Sequence, residues 1–221
     1  MDKIGYKFNN IDFLKTALTH SSLINERKIN KTDDYERQEF LGDAVLELTV
    51  SDHLFKSMPE LDEGGMTKMR SELVCEPTLA FCAKEINLSD YILLGHGEDM
   101  LGSRYRDSIV SDVFEALIGA VYLDGGMEEA KKFIYRFILE DMEHKILFTD
   151  SKTKLQTMVQ KDGGSLAYEL ISEEGPAHEK KFVMAALING KRASEGTGNS
   201  KKGAEQHAAY KALLNYNGKG K

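Results

Sequence analysis

Between Ser108 and Leu123 the sequence SIVSDVFEALIGAVYL is apolar around nearly the whole circumference of a helix, and its only charges are Asp112 and Glu115. Such a helix belongs in the interior of a domain, where a carboxylate persists only if it is paired or coordinates a cation. The two acids stand three residues apart and so share one face. The fold must therefore surround this helix and still give its acidic edge a partner.

The rest of the chain supplies the surroundings. From Ile11 to about His144 apolar residues recur at helical spacing, with turn signals at 25–33, 59–65, 95–102 and Gly125-Gly126, and nothing alternates as a strand. The pattern then changes. A short helix is expected over Thr153 to Lys161, then strands in AYELIS, KKFVMAALI and KRASEGTG, then a helix from about Ser200 to Tyr216. Asn189-Gly190 between the second and third segments is a strong two-residue hairpin signal. The expected architecture is an all-α domain, residues 1–148, followed by a small α-β-β-β-α domain, residues 149–221.

Charge divides along the same line. The net charge is −7, yet residues 1–149 hold 17 basic against 28 acidic side chains and residues 150–221 hold 12 against 8. Such asymmetry suggests two jobs, with the second segment suited to a polyanion. Cys75 and Cys82 offer neither a disulfide framework nor metal spacing. MDKIGYKFNN lacks the apolar stretch of a signal peptide, and the most apolar run is broken by acids. The expectation is a soluble cytoplasmic protein without a membrane segment.

A second acidic helix is expected in YERQEFLGDAVLELTV, residues 35–50. Glu36, Glu39, Asp43 and Glu47 fall within one arc, while Leu41, Ala44, Val45 and Leu48 share another and are expected to face the core. Carboxylates at i and i+4 repel. Taken alone, the stripe reads as a solvated face; beside Asp112 and Glu115 it reads as half of a metal site, with Gly42 and Gly119 allowing the backbones to approach. Oxygen-only donors favour magnesium or manganese over zinc, which draws on His or Cys. His144 reads as a surface residue. Magnesium among carboxylates serves phosphate chemistry, which makes phosphodiester hydrolysis the leading candidate.

With ALTHSS (17–22), ERQEFLGDA (36–44), EGGMTKMRSELV (63–74) and SDVFEALIGAVYLDGG (111–126) in this order, the chain closely resembles the ribonuclease III family of double-strand-specific endoribonucleases. Its C-terminal part resembles that family's double-stranded-RNA-binding domain. The resemblance implies metal ligands at Glu39, Asp43, Asp112 and Glu115, with Asp43 and Glu115 central to catalysis. It places Glu36 and Glu63 near the RNA in the cleft and gives Phe40 to the partner subunit of a homodimer; the competing reading of Phe40 is a core residue. It further implies hydrolysis of duplex RNA by metal-activated water with Mg2+ (Mn2+ substituting), no organic cofactor, 5′-phosphate and 3′-hydroxyl ends with a short 3′ overhang, and ribosomal and messenger RNA precursor processing. Gln38 departs from the family's usual Leu, and His20 is expected to be a packed helix residue.

In the C-terminal segment Lys201 and Lys202 open the last helix, where dipole and free N–H groups favour phosphate. A solvated pair is the plainer reading, and the resemblance turns it into a phosphate clamp. By the same matching, Gln156 and Gln160 face one minor groove and His178 the next, across ~16 base pairs. The alternative function is a catalytically idle double-stranded-RNA-binding regulator, which should have lost a carboxylate.

Overall fold

The structure is a computed structural model that describes residues 3–27, 33–175 and 180–217. The chain divides into two compact units, Met1–Lys145 and Ile146–Lys221.

The first unit is helical: α1 (Ile11–Ala17), α2 (Ser21–Arg27), α3 (Glu36–Ser57), α4 (Glu63–Leu73), α5 (Glu76–Glu85), α6 (His96–Met100) and α7 (Asp107–Ile134), with short 3-10 turns at Leu88–Tyr91 and Ser103–Tyr105. Helix starts follow local chemistry. Asn10 accepts from the Asp12 N–H at 3.0 Å and Asp62 from the Gly65 N–H at 2.8 Å, each filling an otherwise orphaned donor. Pro77 lies in the first turn of α5, where its missing N–H costs nothing. The Gly125-Gly126 turn signal becomes a kink within α7, at Gly126 with φ 78°, rather than the end of the helix.

As its composition requires, α7 is the buried centre: Val113, Phe114, Ala116, Leu117, Ile118 and Val121 are all essentially inaccessible. Phe114, Phe133 and Phe137 form an aromatic cluster at its core side. Helix α3 packs along α7 through backbone contact. A Cβ on Gly42 would run into the Glu115 carbonyl and stand 2.9 Å from the Gly119 nitrogen; one on Gly119 would collide with the Gln38 carbonyl. Both glycines are therefore demanded by the crossing.

That crossing also sets which face of α3 is inside. Gln38, Gly42, Val45, Leu46, Thr49, Val50 and Leu54 are buried. The expectation for Ala44 and Leu48 is corrected: both are exposed, Leu48 at 58%, on a stripe with Phe40 at 82% and Phe55 at 72%. The inward face includes Gly42 and Gln38 because backbone proximity, not side-chain hydrophobicity, selects the contact. Gln38 is 6% exposed, and its Oε1 has no hydrogen-bond partner among the described residues. His20 is not helical; it lies between α1 and α2, where its Nδ1 accepts the Ser22 N–H at 3.1 Å. Both cysteines are free thiols, and Cys82 is buried with its Sγ donating to the Phe137 carbonyl at 3.0 Å.

Helix α8 (Met142–Thr149) leads into the second unit, made of α9 (Ser151–Lys161), β1 (Leu166–Glu174), β2 (Lys181–Ile188), β3 (Lys191–Gly198) and α10 (Lys201–Asn217). The strands form one antiparallel sheet in the order β1-β2-β3. Asn189 (φ 53°) and Gly190 (φ 73°) both take the left-handed conformation that a tight two-residue hairpin requires. Leu155 and Val159 of α9, Ala186 of β2 and Ala208, Ala209, Ala212 and Leu213 of α10 make the core. No helix among the described residues is long and apolar enough to cross a membrane.

Gly42→Ala is expected to destabilise the first unit by about 3 kcal/mol or more, because two backbones must separate to admit one methyl. Urea unfolding against Gly97→Ala, where an added Cβ meets nothing within 4 Å, checks this; equal stabilities would contradict the contact.

Candidate active site

The four acids singled out by sequence come from the two helices that meet at Gly42 and Gly119. Glu39 and Asp43 flank Gly42 on α3, while Asp112 and Glu115 lie one to two turns before Gly119 on α7. Asp43 is exposed and the other three are half-buried. Their proximity is written in their acidities. Burial, then Asp112, Glu36, Asp43 and Asp34, raise the Glu39 carboxyl from 4.5 to about 7. Burial, then Asp43, Glu39, Asp112 and Glu47, raise that of Glu115 to about 8. Asp112 is raised as well, by burial and by Glu76, against the opposing hydrogen bond from Tyr35.

Among the described residues no lysine or arginine ion-pairs with any of these four, although Glu47, the outer member of the stripe, pairs with Arg70 at 3.5 Å. Arg70 also donates to Ser51 Oγ at 3.0 Å. A donor set of oxygens alone, crowded and uncompensated, has the chemistry that a hard divalent cation takes. In the conformation seen, no three acidic, histidine or cysteine groups among the described residues converge tightly enough to grip one ion. The helices thus bring the four acids close enough to act on one another, and gripping one ion would call for rotamer adjustment of these partly exposed side chains.

Three neighbours carry no such signal in the sequence. Asp34 is 6% exposed, accepts from the Glu36 N–H at 3.2 Å and pushes on Glu39. Tyr35 is buried, its N–H bonded to the Thr19 carbonyl at 2.9 Å, with its hydroxyl 3.5 Å from Asp112 Oδ2. Glu76, at the start of α5, presses on Asp112. An acid just before a helix could have been read as a cap, whereas nothing local to Glu76 announces Asp112. Of the residues placed near the cleft by resemblance, Glu36 is exposed and acts on Glu39; Glu63 accepts from Thr67 Oγ1 at 3.0 Å and is not among the main groups acting on Glu39, Asp112 or Glu115.

In the second unit Leu155 and Val159 are buried, leaving Gln160 exposed and Gln156 half-exposed on the outer side of α9. Lys201 and Lys202 are both exposed in the first turn of α10, after Ser200, whose Oγ accepts the Gly203 N–H at 3.0 Å. His178 lies outside the described residues.

Comparison with known proteins agrees with this division. Residues 10–142 match the Ribonuclease-III-like family model, and residues 151–216 match the double-stranded RNA binding motif. The chain belongs to the ribonuclease III family of endoribonucleases. It is 47% identical to Ribonuclease 3 of Staphylococcus aureus (strain bovine RF122 / ET3-1) over 215 residues, 96% of this chain and 88% of that one. Against Ribonuclease 3 of Listeria innocua the identity is 46%, covering 96% and 94%. A solved nuclease domain of ribonuclease III from Campylobacter jejuni, described as flexible in a region involved in dimer formation, superposes with a TM-score of 0.59 at 39% identity, covering 64% of this chain and 95% of that one. As a family member, this chain combines a helical nuclease domain with a three-stranded RNA-binding module, the fold class expected from its periodicities.

Because Glu39 and Glu115 keep protons to higher pH when folded than when unfolded, the folded chain binds more protons between about pH 5 and about pH 8. Stability in EDTA is expected to fall as pH rises through that interval and to level off above it. Glu115→Gln should flatten the decline. Calorimetric melting points across this range give the measurement; a flat wild-type profile would contradict the crowding.

Proposed function

We propose that this chain hydrolyses phosphodiester bonds of double-stranded RNA as a homodimer, with residues 1–148 as the endonuclease domain and 149–221 as the double-stranded-RNA-binding domain. The observation that carries the reading is the meeting of Glu39, Asp43, Asp112 and Glu115 across the Gly42 and Gly119 contact. These four carboxylates would hold Mg2+, with Mn2+ able to replace it. A cation held there would supply an activated water and neutralise charge on the phosphate oxygens. Asp43, the most exposed of the four, faces substrate and solvent, and Glu115, whose carboxyl burial and neighbouring acids push up to about 8 without a cation, would ionise on taking one. The Tyr35 hydroxyl steadies Asp112 Oδ2.

The second unit binds the duplex by its shape. Gln156 and Gln160 reach 2′-hydroxyls and base edges in one minor groove, His178 serves the next, and Lys201 and Lys202 take the phosphates between. Phe40, 82% exposed, meets the partner subunit, in line with the dimer-forming region described for the Campylobacter jejuni domain. Two sites facing one duplex cut both strands and leave 5′-phosphate and 3′-hydroxyl ends with a short 3′ overhang. In this reading Glu36 and Glu63 lie toward the RNA in the cleft, and cytoplasmic processing of ribosomal and messenger precursors is the setting proposed.

Labelled duplex RNA incubated with the purified chain is expected to be cut in magnesium and left whole in EDTA, and Glu115→Gln should lose more than ~100-fold in rate while keeping its fold and duplex affinity. Duplex that shifts on a gel without being cut in magnesium would establish the idle-binder alternative instead. Lys201→Ala with Lys202→Ala should weaken binding and flatten its dependence on log salt by about two units of slope, about one per phosphate contact. An unchanged slope would remove the clamp.

A further inference from the structure

The register of the second unit's sheet sets one row of side chains. Glu173 of β1 lies opposite Phe182 of β2, and Phe182 lies opposite Gly198 of β3. Residues paired across strands project to the same face. Gly198 adds nothing to that row; a Cβ there would stand 2.6 Å from the Ala204 nitrogen, so the first turn of α10 rests directly on β3. This brings Lys201 over the Phe182 ring, with Nζ 5.9 Å from the centroid, and to 3.9 Å from Glu173 Oε2. Lys180, just before β2, brings a second ammonium to the same ring at 5.8 Å and ion-pairs with Glu173 Oε1. Lys180, with a smaller part from Lys201, holds the Glu173 carboxyl below its usual range.

We propose that Lys180, Lys201 and Phe182 form a subsite for a backbone phosphate of duplex RNA, and that Glu173 occupies it in the unbound chain as an internal competitor. The proposal rests on the duplex-binding reading given above and adds three residues to it: Lys180, which attracts, Phe182, which carries the lysines, and Glu173, which opposes. A carboxylate and a phosphodiester make the same charge-assisted bonds to an ammonium, and one anion fills the space between the two lysines. Exposed ion pairs are weak. A phosphate, reinforced by its neighbours along the strand and by counterion release, outcompetes one carboxylate that need only rotate away. The aromatic face keeps both ammoniums in place during the exchange. Lys180 is then a third phosphate-contacting lysine, and Glu173 lowers affinity and favours release of cut RNA.

The test uses the full chain in EDTA, so that nothing is cut, with a fluorescent RNA duplex longer than the ~16 base pairs such a module spans. Glu173→Gln should tighten binding about threefold to tenfold at low salt, a gain that shrinks as salt screens the pairs. Glu174→Gln, the same charge change at the adjacent residue on the opposite face of the sheet, should alter affinity by less than about twofold. Lys180→Ala should weaken binding, and Glu173→Gln should gain little once Lys180 and Lys201 are both Ala. The subsite is overturned if Glu173→Gln binds no better than Glu174→Gln, or if its gain survives intact without the two lysines. If the wild-type chain itself fails to bind the duplex, the RNA-binding reading falls and the subsite with it.

Discussion

Two helix backbones in direct contact, without side chains between them, are the condition on which the first unit depends. At Gly42 and Gly119 the peptide groups of α3 and α7 occupy the space that a single methyl would need. A glycine in a helix interior costs about 1 kcal/mol relative to alanine, so two facing each other are kept for what their smallness allows. It allows acids from separate helices to come together across a contact of backbone on backbone. The same contact turns Gln38 inward, leaving its Oε1 without a partner, and turns Leu48, Phe40 and Phe55 outward.

That proximity has an electrostatic consequence. Glu39 and Glu115 hold their protons to about pH 7 and about pH 8, because burial and neighbouring carboxylates both oppose ionisation. Stability is given up locally so that negative charge can be concentrated. Nearby, Arg70 takes Glu47 and leaves the inner four without a basic partner among the described residues. One helical stripe is thereby divided by its surroundings into a neutralised outer acid and an inner group that a cation would relieve.

The RNA-binding module uses small residues in the same way. Gly196 and Gly198 let α10 lie against β3, and Ala204, Ala208, Ala209 and Ala212 form the matching face of the helix. Close packing there carries the first turn of α10, with Lys201, to the end of the sheet where Phe182 and Glu173 stand. In both units a glycine contact places charged groups that are far apart in sequence.

By itself the sequence determined the element types, the division into a helical and an α-β-β-β-α unit, the hairpin at Asn189-Gly190, and the acids that α3 and α7 bring near one another, since periodicity, turn chemistry and charge in an apolar helix are local or near-local properties. The helix faces of Ala44 and Leu48, the non-helical place of His20, and the neighbours Asp34, Tyr35 and Glu76 were decided only by tertiary structure. A helical wheel shows which residues share a face but not which face a partner backbone will choose. Glu76 reaches Asp112, and Glu173 reaches Lys201, only because packing folds distant segments together, and that distance is invisible to any local pattern.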